Sequence, residues 1–123
     1  MQLIDDESDA RVILKRAFED LGCSVMTAAT VDEGLGLARI ASPKMISIDL
    51  LMPRKNGWDA LAELQDDEVL RDIPVVVVSA VASENRMRLY GALDYLDKPV
   101  TRDELARVVE RRRKLPALSV VAN

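Results

Sequence analysis

Short apolar runs alternate along the chain with longer segments in which apolar residues recur every three or four positions. The runs predict β-strands, since strands covered on both faces of a sheet read as short, continuous apolar segments. The fourth run, IPVVVVS, is mostly β-branched, which is typical of a strand inside a parallel sheet. The five predicted strands cover residues 2–4, 24–28, 45–48, 73–79 and 93–96.

The periodic segments predict five helices, one after each strand. Sequences typical of capping boxes begin two of them, at Thr30 with Glu33 and at Thr101 with Glu104. The last helix should end before Pro116, because the residue before a proline avoids the helical region. The predicted helices cover residues 10–21, 30–40, 59–65, 83–90 and 101–115.

The apolar spacing also predicts which helix faces are buried, and the glycines indicate where a helix is weak. Gly34 and Gly36 lie inside the second helix and are expected to destabilise it by about 1 kcal/mol each. In the last helix the inward positions are Leu105, Val108 and Val109. The inward face predicted for the first helix consists of Ala10, Ile13, Leu14, Ala17, Phe18 and Leu21.

Five strands that alternate with five helices predict a three-layer α/β domain, a doubly wound (βα)5 sandwich around a five-stranded parallel sheet. Right-handed crossovers leave few strand orders, of which we favour the flavodoxin-like order 2-1-3-4-5. The domain is expected to cover residues 1–115. Residues 116–123 are interpreted as a C-terminal tail or linker.

Composition narrows the class of protein. The 123 residues are 49% apolar and 31% charged, which suits one soluble globular core. No apolar run approaches the roughly 20 residues that span a bilayer, so no membrane role is expected. The net charge of −4 opposes nucleic-acid binding. The single cysteine excludes an internal disulfide and favours a reducing, cytoplasmic location.

The absence of histidine restricts the chemistry further. It excludes a Ser-His-Asp hydrolase, histidine-based metal sites and self-phosphorylation on histidine. The remaining groups are carboxylates, hydroxyls, ammonium and guanidinium groups. This set favours a hard cation with oxygen ligands.

Polar residues follow four of the predicted strands where each strand ends. Asp5 and Asp6 follow the first strand, Asp49 the third, Ser79 ends the fourth, and Lys98 follows the fifth. Ligands of such sheets bind at the carboxyl ends of the strands, and the order 2-1-3-4-5 makes strands 1 and 3 neighbours. The three carboxylates are therefore expected to converge.

Converging carboxylates repel one another and are costly to desolvate, which a divalent cation such as Mg²⁺ would offset. Lys98 supplies a point charge suited to a phosphoryl oxygen, and Ser79 supplies a hydroxyl donor. A carboxylate nucleophile, a metal, an ammonium and a hydroxyl together fit phosphoryl transfer onto a carboxylate.

The chain resembles the CheY-like receiver domains of two-component response regulators. The resemblance extends over about residues 2–114, and several short segments carry it in the same order and register. These segments are IDDE at residues 4–7, IDLLMPRKNG at 48–57, VVVVSA at 75–80 and GALDYLDKP at 91–99.

The resemblance implies a role for each matching residue. It implies that Asp49 is the phosphoacceptor and that Ser79 and Lys98 bind the phosphoryl group. It further implies that Ser79 and Tyr95 form the conformational switch and that Pro99 follows a cis peptide bond. The implied ligands of a Mg²⁺ or Mn²⁺ ion are Asp5, Asp6, Asp49 and the main-chain carbonyl of Leu51.

The function that the resemblance implies is a phosphorylation-activated switch in a phosphorelay, not an enzyme in the usual sense. The donor would be a histidine kinase or a histidine phosphotransfer protein. Phosphorylation would change the surface of the fourth helix, fifth strand and fifth helix, through which an output domain or a homodimer partner would bind. Leu51 and Val81 occupy the positions that flank the attacking water in the family, and both are apolar, which predicts slow self-dephosphorylation.

Three alternative functions stand beside this one. The first is a receiver-fold interaction module that signals without phosphorylation. A haloacid-dehalogenase-like phosphatase would need a second aspartate two residues after Asp49, where Leu51 stands. A flavin carrier would need a phosphate-binding loop after the first strand, where Asp5, Asp6 and Glu7 would repel phosphate.

One departure from the family concerns the fourth helix. Ser79 and Gly91 are 12 positions apart, about three fewer than the family pattern leads us to expect. The sequence therefore predicts a fourth helix shorter by roughly one turn.

Overall fold

The computed structural model describes residues 1–89 and 91–115. The proposed tail, residues 116–123, lies outside the described residues, as does Tyr90 at the end of the predicted fourth helix. Among the helices of the described ranges, none combines the length and the apolarity that crossing a membrane requires.

Five parallel strands form one sheet in the order β2-β1-β3-β4-β5, which confirms the predicted order. In register, Ile4 lies opposite both Ala28 and Ile48, and Ser79 lies opposite Asp97. The carboxyl ends of the strands therefore share one edge. The strands are β1 (Gln2–Ile4), β2 (Met26–Ala28), β3 (Ile46–Ile48), β4 (Val75–Ser79) and β5 (Asp94–Asp97).

The helices follow the strands as the sequence predicts, with one change of type. Thr30 and Thr101 cap α2 and α4, each accepting a hydrogen bond from a main-chain N–H three residues on. The α-helices are α1 (Ser8–Asp20), α2 (Val31–Ala41), α3 (Gly57–Asp66) and α4 (Arg102–Arg113).

The predicted fourth helix is a 3₁₀-helix, Ser83–Leu89, so α4 is the fifth predicted helix. A 3₁₀-helix rises about 2.0 Å per residue, against about 1.5 Å in an α-helix. The tighter winding therefore lets a short segment cover more of the height of the sheet. This conformation accommodates the shortened connection between Ser79 and Gly91.

Two apolar layers enclose the sheet. Alternation along β1 sends Leu3 to the side of α1 and α4, where it packs with Phe18 and Val108. Ile4 points to the other side and packs against α2 and α3. A third cluster of buried residues joins the end of β3 to the 3₁₀-helix. Its members are Leu50, Val77, Ala82 and Leu89.

The predicted inward face of α1 is too wide. Leu14 and Phe18, four residues apart, form the buried stripe, whereas Ile13 is 66% exposed. Successive helical residues are about 100° apart, so a stripe centred on Leu14 and Phe18 leaves Ile13 at its margin, in solvent.

The two glycines of α2 have different roles. A β-carbon at Gly34 would lie 2.4 Å from Cδ1 of Ile4, whereas one at Gly36 would meet nothing within 4 Å. Ile4 is fully buried and packs among other buried apolar residues between β1 and the helices α2 and α3. Gly34 therefore allows α2 to approach β1 closely. The sequence analysis treated this glycine only as a weak point of the helix and missed that role.

Replacement of these glycines by alanine should have opposite effects. Gly36→Ala should raise the free energy of unfolding by about 0.5–1 kcal/mol, because alanine loses less entropy in a helix. Gly34→Ala should lower it by about 1–3 kcal/mol, because the added methyl overpacks the core against Ile4. Urea denaturation followed by circular dichroism measures both changes, and a stabilised Gly34→Ala variant would contradict the close approach.

Candidate functional site

The candidate site lies at the carboxyl edge of the sheet, where β1 and β3 end side by side. Asp5 directly follows β1 and Asp49 directly follows β3. A main-chain hydrogen bond of 3.2 Å from the Asp49 N–H to the carbonyl of Ile4 joins the two strand ends. Both residues are buried: Asp5 is 1% exposed and Asp49 is 5% exposed.

Three carboxylates converge at this edge. Asp5, Asp6 and Asp49 each offer an oxygen, and these oxygens lie within 4.8 Å of one another. Asp6 is only half-buried, so the cluster opens to solvent on its side. Oxygen donors at this spacing fit a hard divalent cation such as Mg²⁺, which keeps several waters and binds through a few carboxylates.

Lys98 lies between two of the carboxylates. Its Nζ is 2.7 Å from Oδ2 of Asp5 and 2.7 Å from Oδ2 of Asp49, and 3.8 Å from Oε1 of Glu7. Its main-chain N–H donates to the carbonyl of Ser79 at 3.1 Å, which joins the ends of β4 and β5. The peptide bond between Lys98 and Pro99 is cis.

The surroundings of Lys98 keep it charged. Burial disfavours the ammonium, but the hydrogen bonds to Asp49 and Asp5 outweigh burial, and the pKa of Lys98 is raised above its ordinary value. The ammonium therefore offsets part of the negative charge of the cluster throughout the neutral pH range.

Main-chain donors orient the two buried carboxylates. The Glu7 N–H donates to Oδ1 of Asp5, and the Leu51 N–H donates to Oδ1 of Asp49, each at 3.0 Å. Each carboxylate thus uses one oxygen for the main chain and the other for Lys98. Arg11 donates to the main-chain carbonyl of Asp5 at 2.8 Å, which ties α1 to the same position.

Gly57 lets α3 begin against the site. A β-carbon here would lie 2.3 Å from the carbonyl oxygen of Asp49, a distance that no side chain tolerates. Asn56 caps the helix in a reciprocal capping box with Asp59. Asn56 and Gly57 thus form the start of α3, and Gly57 lies in close contact with Asp49.

The remaining predicted residues surround this cluster. Ser79 ends β4 and is fully buried, and within the described part of the chain its hydroxyl has no hydrogen-bond partner. Tyr95 lies on β5 opposite Val77 and packs half-buried against the third cluster. The Leu51 side chain is exposed, and Val81 is half-buried.

Sequence reasoning missed contacts between residues that are distant along the chain. Asp97 accepts hydrogen bonds from the N–H and the hydroxyl of Ser83, at 2.9 and 2.5 Å, which lower the pKa of Asp97. Glu7 near Lys98 and the Arg11 contact with Asp5 were likewise missed. Asp97 directly precedes Lys98 in the sequence, and this adjacency could have indicated that Asp97 also lies at the carboxyl edge of the sheet.

Comparison with known proteins identifies the family to which this chain belongs. The sequence model of the response regulator receiver domain matches residues 1–110. The chain therefore belongs to the response regulator receiver domain family, which confirms the resemblance inferred from the strand-end residues. Members of this family are signalling switches of two-component systems.

Relatives differ in how much of their length the chain covers. It is 31% identical over 110 residues to protein PilH of Pseudomonas aeruginosa, covering 87% of this chain and 91% of PilH. It is 32% identical over 126 residues to the probable transcriptional regulator ycf27 of Cyanophora paradoxa. That match covers 98% of this chain and 52% of ycf27, so the chain spans about half the length of this relative.

A solved structure shares the fold. The receiver domain of the sensor histidine kinase PA1611 from Pseudomonas aeruginosa PAO1 is 26% identical and superposes with a TM-score of 0.80. The match covers 89% of this chain and 93% of that domain. That structure holds a magnesium ion coordinated in its active-site cleft.

Removal of the Lys98 ammonium should leave two buried carboxylates without their cation. In metal-free buffer at pH 7, Lys98→Met should lower the free energy of unfolding by about 3 kcal/mol. Because pairing raises the Lys98 pKa, its contribution is present below the ordinary value of 10.5 and is lost as the pH rises through the raised pKa.

Urea denaturation in the presence of EDTA measures this loss. The matched control is Lys44→Met, which removes the same charge from an exposed side chain and should change stability by less than about 0.5 kcal/mol. An equal loss in the two variants would show that the ion pairs of Lys98 are not what holds the cluster.

Proposed function

We propose that the chain is a phosphorylation-activated switch in which Asp49 accepts a phosphoryl group from a phosphohistidine in a Mg²⁺-dependent reaction. The observation that carries this proposal is the convergence of three carboxylates with the Lys98 ammonium, together with the buried Ser79 hydroxyl at the end of the next strand, which has no hydrogen-bond partner among the residues that the structure describes. A hydroxyl without a partner at a buried site is costly, and a phosphoryl oxygen would satisfy it.

Each residue of the site has its own proposed role in the phosphoryl transfer. Asp5, Asp6, Asp49 and the main-chain carbonyl of Leu51 would hold the cation, which neutralises charge on the transferring group. An oxygen of Asp49 forms the new bond to phosphorus as the bond to the donor imidazole nitrogen breaks, and the electron pair stays with that nitrogen. Lys98 turns from Asp49 toward a phosphoryl oxygen. Positioning and charge neutralisation supply most of the catalysis.

Ser79 and Tyr95 would convert phosphorylation into a change of surface. Donation from Ser79 to the phosphoryl group draws the start of the 3₁₀ segment toward Asp49 and opens space for the Tyr95 ring. The surface formed by the 3₁₀-helix, β5 and α4 then changes. A shift in population from 1:99 to 99:1 requires about 5.5 kcal/mol of differential stabilisation.

The proposed partners follow from this chemistry. A histidine kinase or a histidine phosphotransfer protein donates the phosphoryl group, and an output domain or a second copy binds the altered surface. This segment does not itself bind nucleic acid. The location is the cytoplasm, with residues 1–115 as the phosphoacceptor domain and 116–123 as its tail or linker.

Phosphorylation by a small donor tests the central step. Incubation with Mg²⁺ and acetyl phosphate should add one phosphoryl group to the intact chain, as measured by mass spectrometry. Asp49→Asn should abolish the gain, because an amide cannot accept the group. The control Asp66→Asn alters an exposed carboxylate of α3 and should still be phosphorylated.

Persistence of the gain in Asp49→Asn would place the acceptor elsewhere. No gain in the unaltered chain, with either Mg²⁺ or Mn²⁺, would refute the proposed acceptor chemistry.

The lifetime of the phosphorylated state forms a separate prediction. Leu51 and Val81 flank the proposed path of the attacking water, and neither side chain can hydrogen-bond to it. Leu51→Asn should therefore speed the loss of the phosphoryl group by about fivefold, the effect of one hydrogen bond of about 1 kcal/mol on the barrier.

Intact mass followed over time measures the decay. Val69→Asn makes the same kind of change at an exposed position outside the site and should leave the decay unaltered. A decay that Leu51→Asn leaves unchanged would show that the apolar side chain at this position does not limit the reaction.

A further inference from the structure

The segment that follows Asp49, residues 50–56, is here named the acceptor loop. It carries the Leu51 N–H that binds Asp49 and the Leu51 carbonyl that is the proposed metal ligand. Buried side chains of Leu50 and Met52 anchor its first half, with 1% and 8% exposed. Its second half has no comparable apolar anchor, since Pro53 and Arg54 are exposed.

The second half of the acceptor loop contains a strained residue. Arg54 has a φ of 62°, in the left-handed region that L-residues other than asparagine and aspartate seldom adopt. Such a conformation is unfavourable and persists only where the surroundings of the residue impose it. The capping box of Asn56 with Asp59 restrains the end of the loop, and a further restraint is needed nearer to Arg54.

Lys55 supplies that restraint through two ion pairs. Its Nζ lies 2.6 Å from Oδ1 of Asp32 and 2.6 Å from Oε1 of Glu63. Asp32 belongs to the first turn of α2, and Glu63 belongs to α3. Hydrogen bonds to Asp32 and Glu63 raise the pKa of Lys55, so the ammonium stays charged. One side chain thus ties the strained part of the loop to two helices.

We propose that Lys55 is a positioning residue for the metal site: its ion pairs to Asp32 and Glu63 hold the acceptor loop in the conformation that presents the Leu51 carbonyl. The inference rests on the proposed function, because it assigns a role within the same Mg²⁺ site. Lys55 acts only through the loop.

The effect is local because exposed ion pairs contribute little to global stability. Asp32 is 77% exposed at its side chain, and solvent screens such a pair strongly. The free energy of unfolding should therefore hardly change when Lys55 is replaced. A loop that already stores strain in Arg54 needs only a small loss of restraint to sample other conformations.

The sign of the change in Mg²⁺ affinity separates positioning from simple electrostatics. Lys55→Met removes a positive charge and releases two carboxylates, so electrostatics alone would tighten binding of a cation. Loss of positioning should instead weaken binding by about tenfold, as for other groups that orient metal ligands. Isothermal titration with MgCl₂ measures the dissociation constant. Lys44→Met, the control, removes an equal charge at the opposite edge of the sheet and should not weaken binding.

Two further measurements make the test specific. Without any metal, hydrogen–deuterium exchange of the amides of residues 51–56 should be faster in Lys55→Met than in the unaltered chain. Glycine adopts the left-handed conformation without strain, so a loop carrying Arg54→Gly should depend less on Lys55. In that chain, Lys55→Met should weaken Mg²⁺ binding by only about threefold.

Each outcome has a defined meaning. Unchanged or tighter Mg²⁺ binding in Lys55→Met, with unchanged loop exchange, would overturn the positioning role while leaving the proposed function intact. Failure of the unaltered chain to bind Mg²⁺ would overturn both, because there would be no metal site to position. A large fall in unfolding free energy in Lys55→Met, with no separate change at the loop, would show a merely structural role.

Discussion

The structure depends on the Lys98 ammonium lying between the buried carboxylates of Asp5 and Asp49. Removing two charged carboxylates this far from water is costly, and a cation beside them offsets part of that cost. Lys98 follows β5, and Asp5 and Asp49 follow the neighbouring strands β1 and β3. Strand order, strand ends and the Lys98–Pro99 connection are thus linked by one electrostatic requirement. The same requirement leaves room for a second, divalent cation, because one ammonium does not balance three carboxylates.

The fold and the grouping of the site residues could both be predicted from the sequence, because both follow from the parallel sheet. Parallel strands buried on both faces are short apolar runs, and the residues that end them lie at one edge whatever their separation along the chain. The sequence alone therefore places Asp5, Asp49 and Lys98 at the same edge of the sheet. Right-handed crossovers left few strand orders, and the favoured order 2-1-3-4-5 made strands 1 and 3 neighbours.

The features that could not be predicted are those set by packing between distant elements. The capping pattern of α2 is present in the sequence, but the approach of Gly34 to Ile4 depends on where α2 packs on the sheet. The pairing of Lys55 with Asp32 and Glu63 joins residues 23 and 8 positions apart, with no local pattern to mark it. The exposure of Ile13 reflects which side of α1 the neighbouring helices leave uncovered.

The 3₁₀-helix is held in place by contacts with other parts of the fold. Its own hydrogen bonds have poor geometry, so contacts outside the helix must hold it. Ser83 at its start binds Asp97, which adjoins Lys98. Near its end, the Arg88 guanidinium lies 3.8 Å from the centroid of the Trp58 ring, which adjoins Gly57 and hence Asp49. The 3₁₀-helix is therefore held near both ends by side-chain contacts, to a residue that adjoins Lys98 at its start and to a residue that adjoins Gly57 near its end.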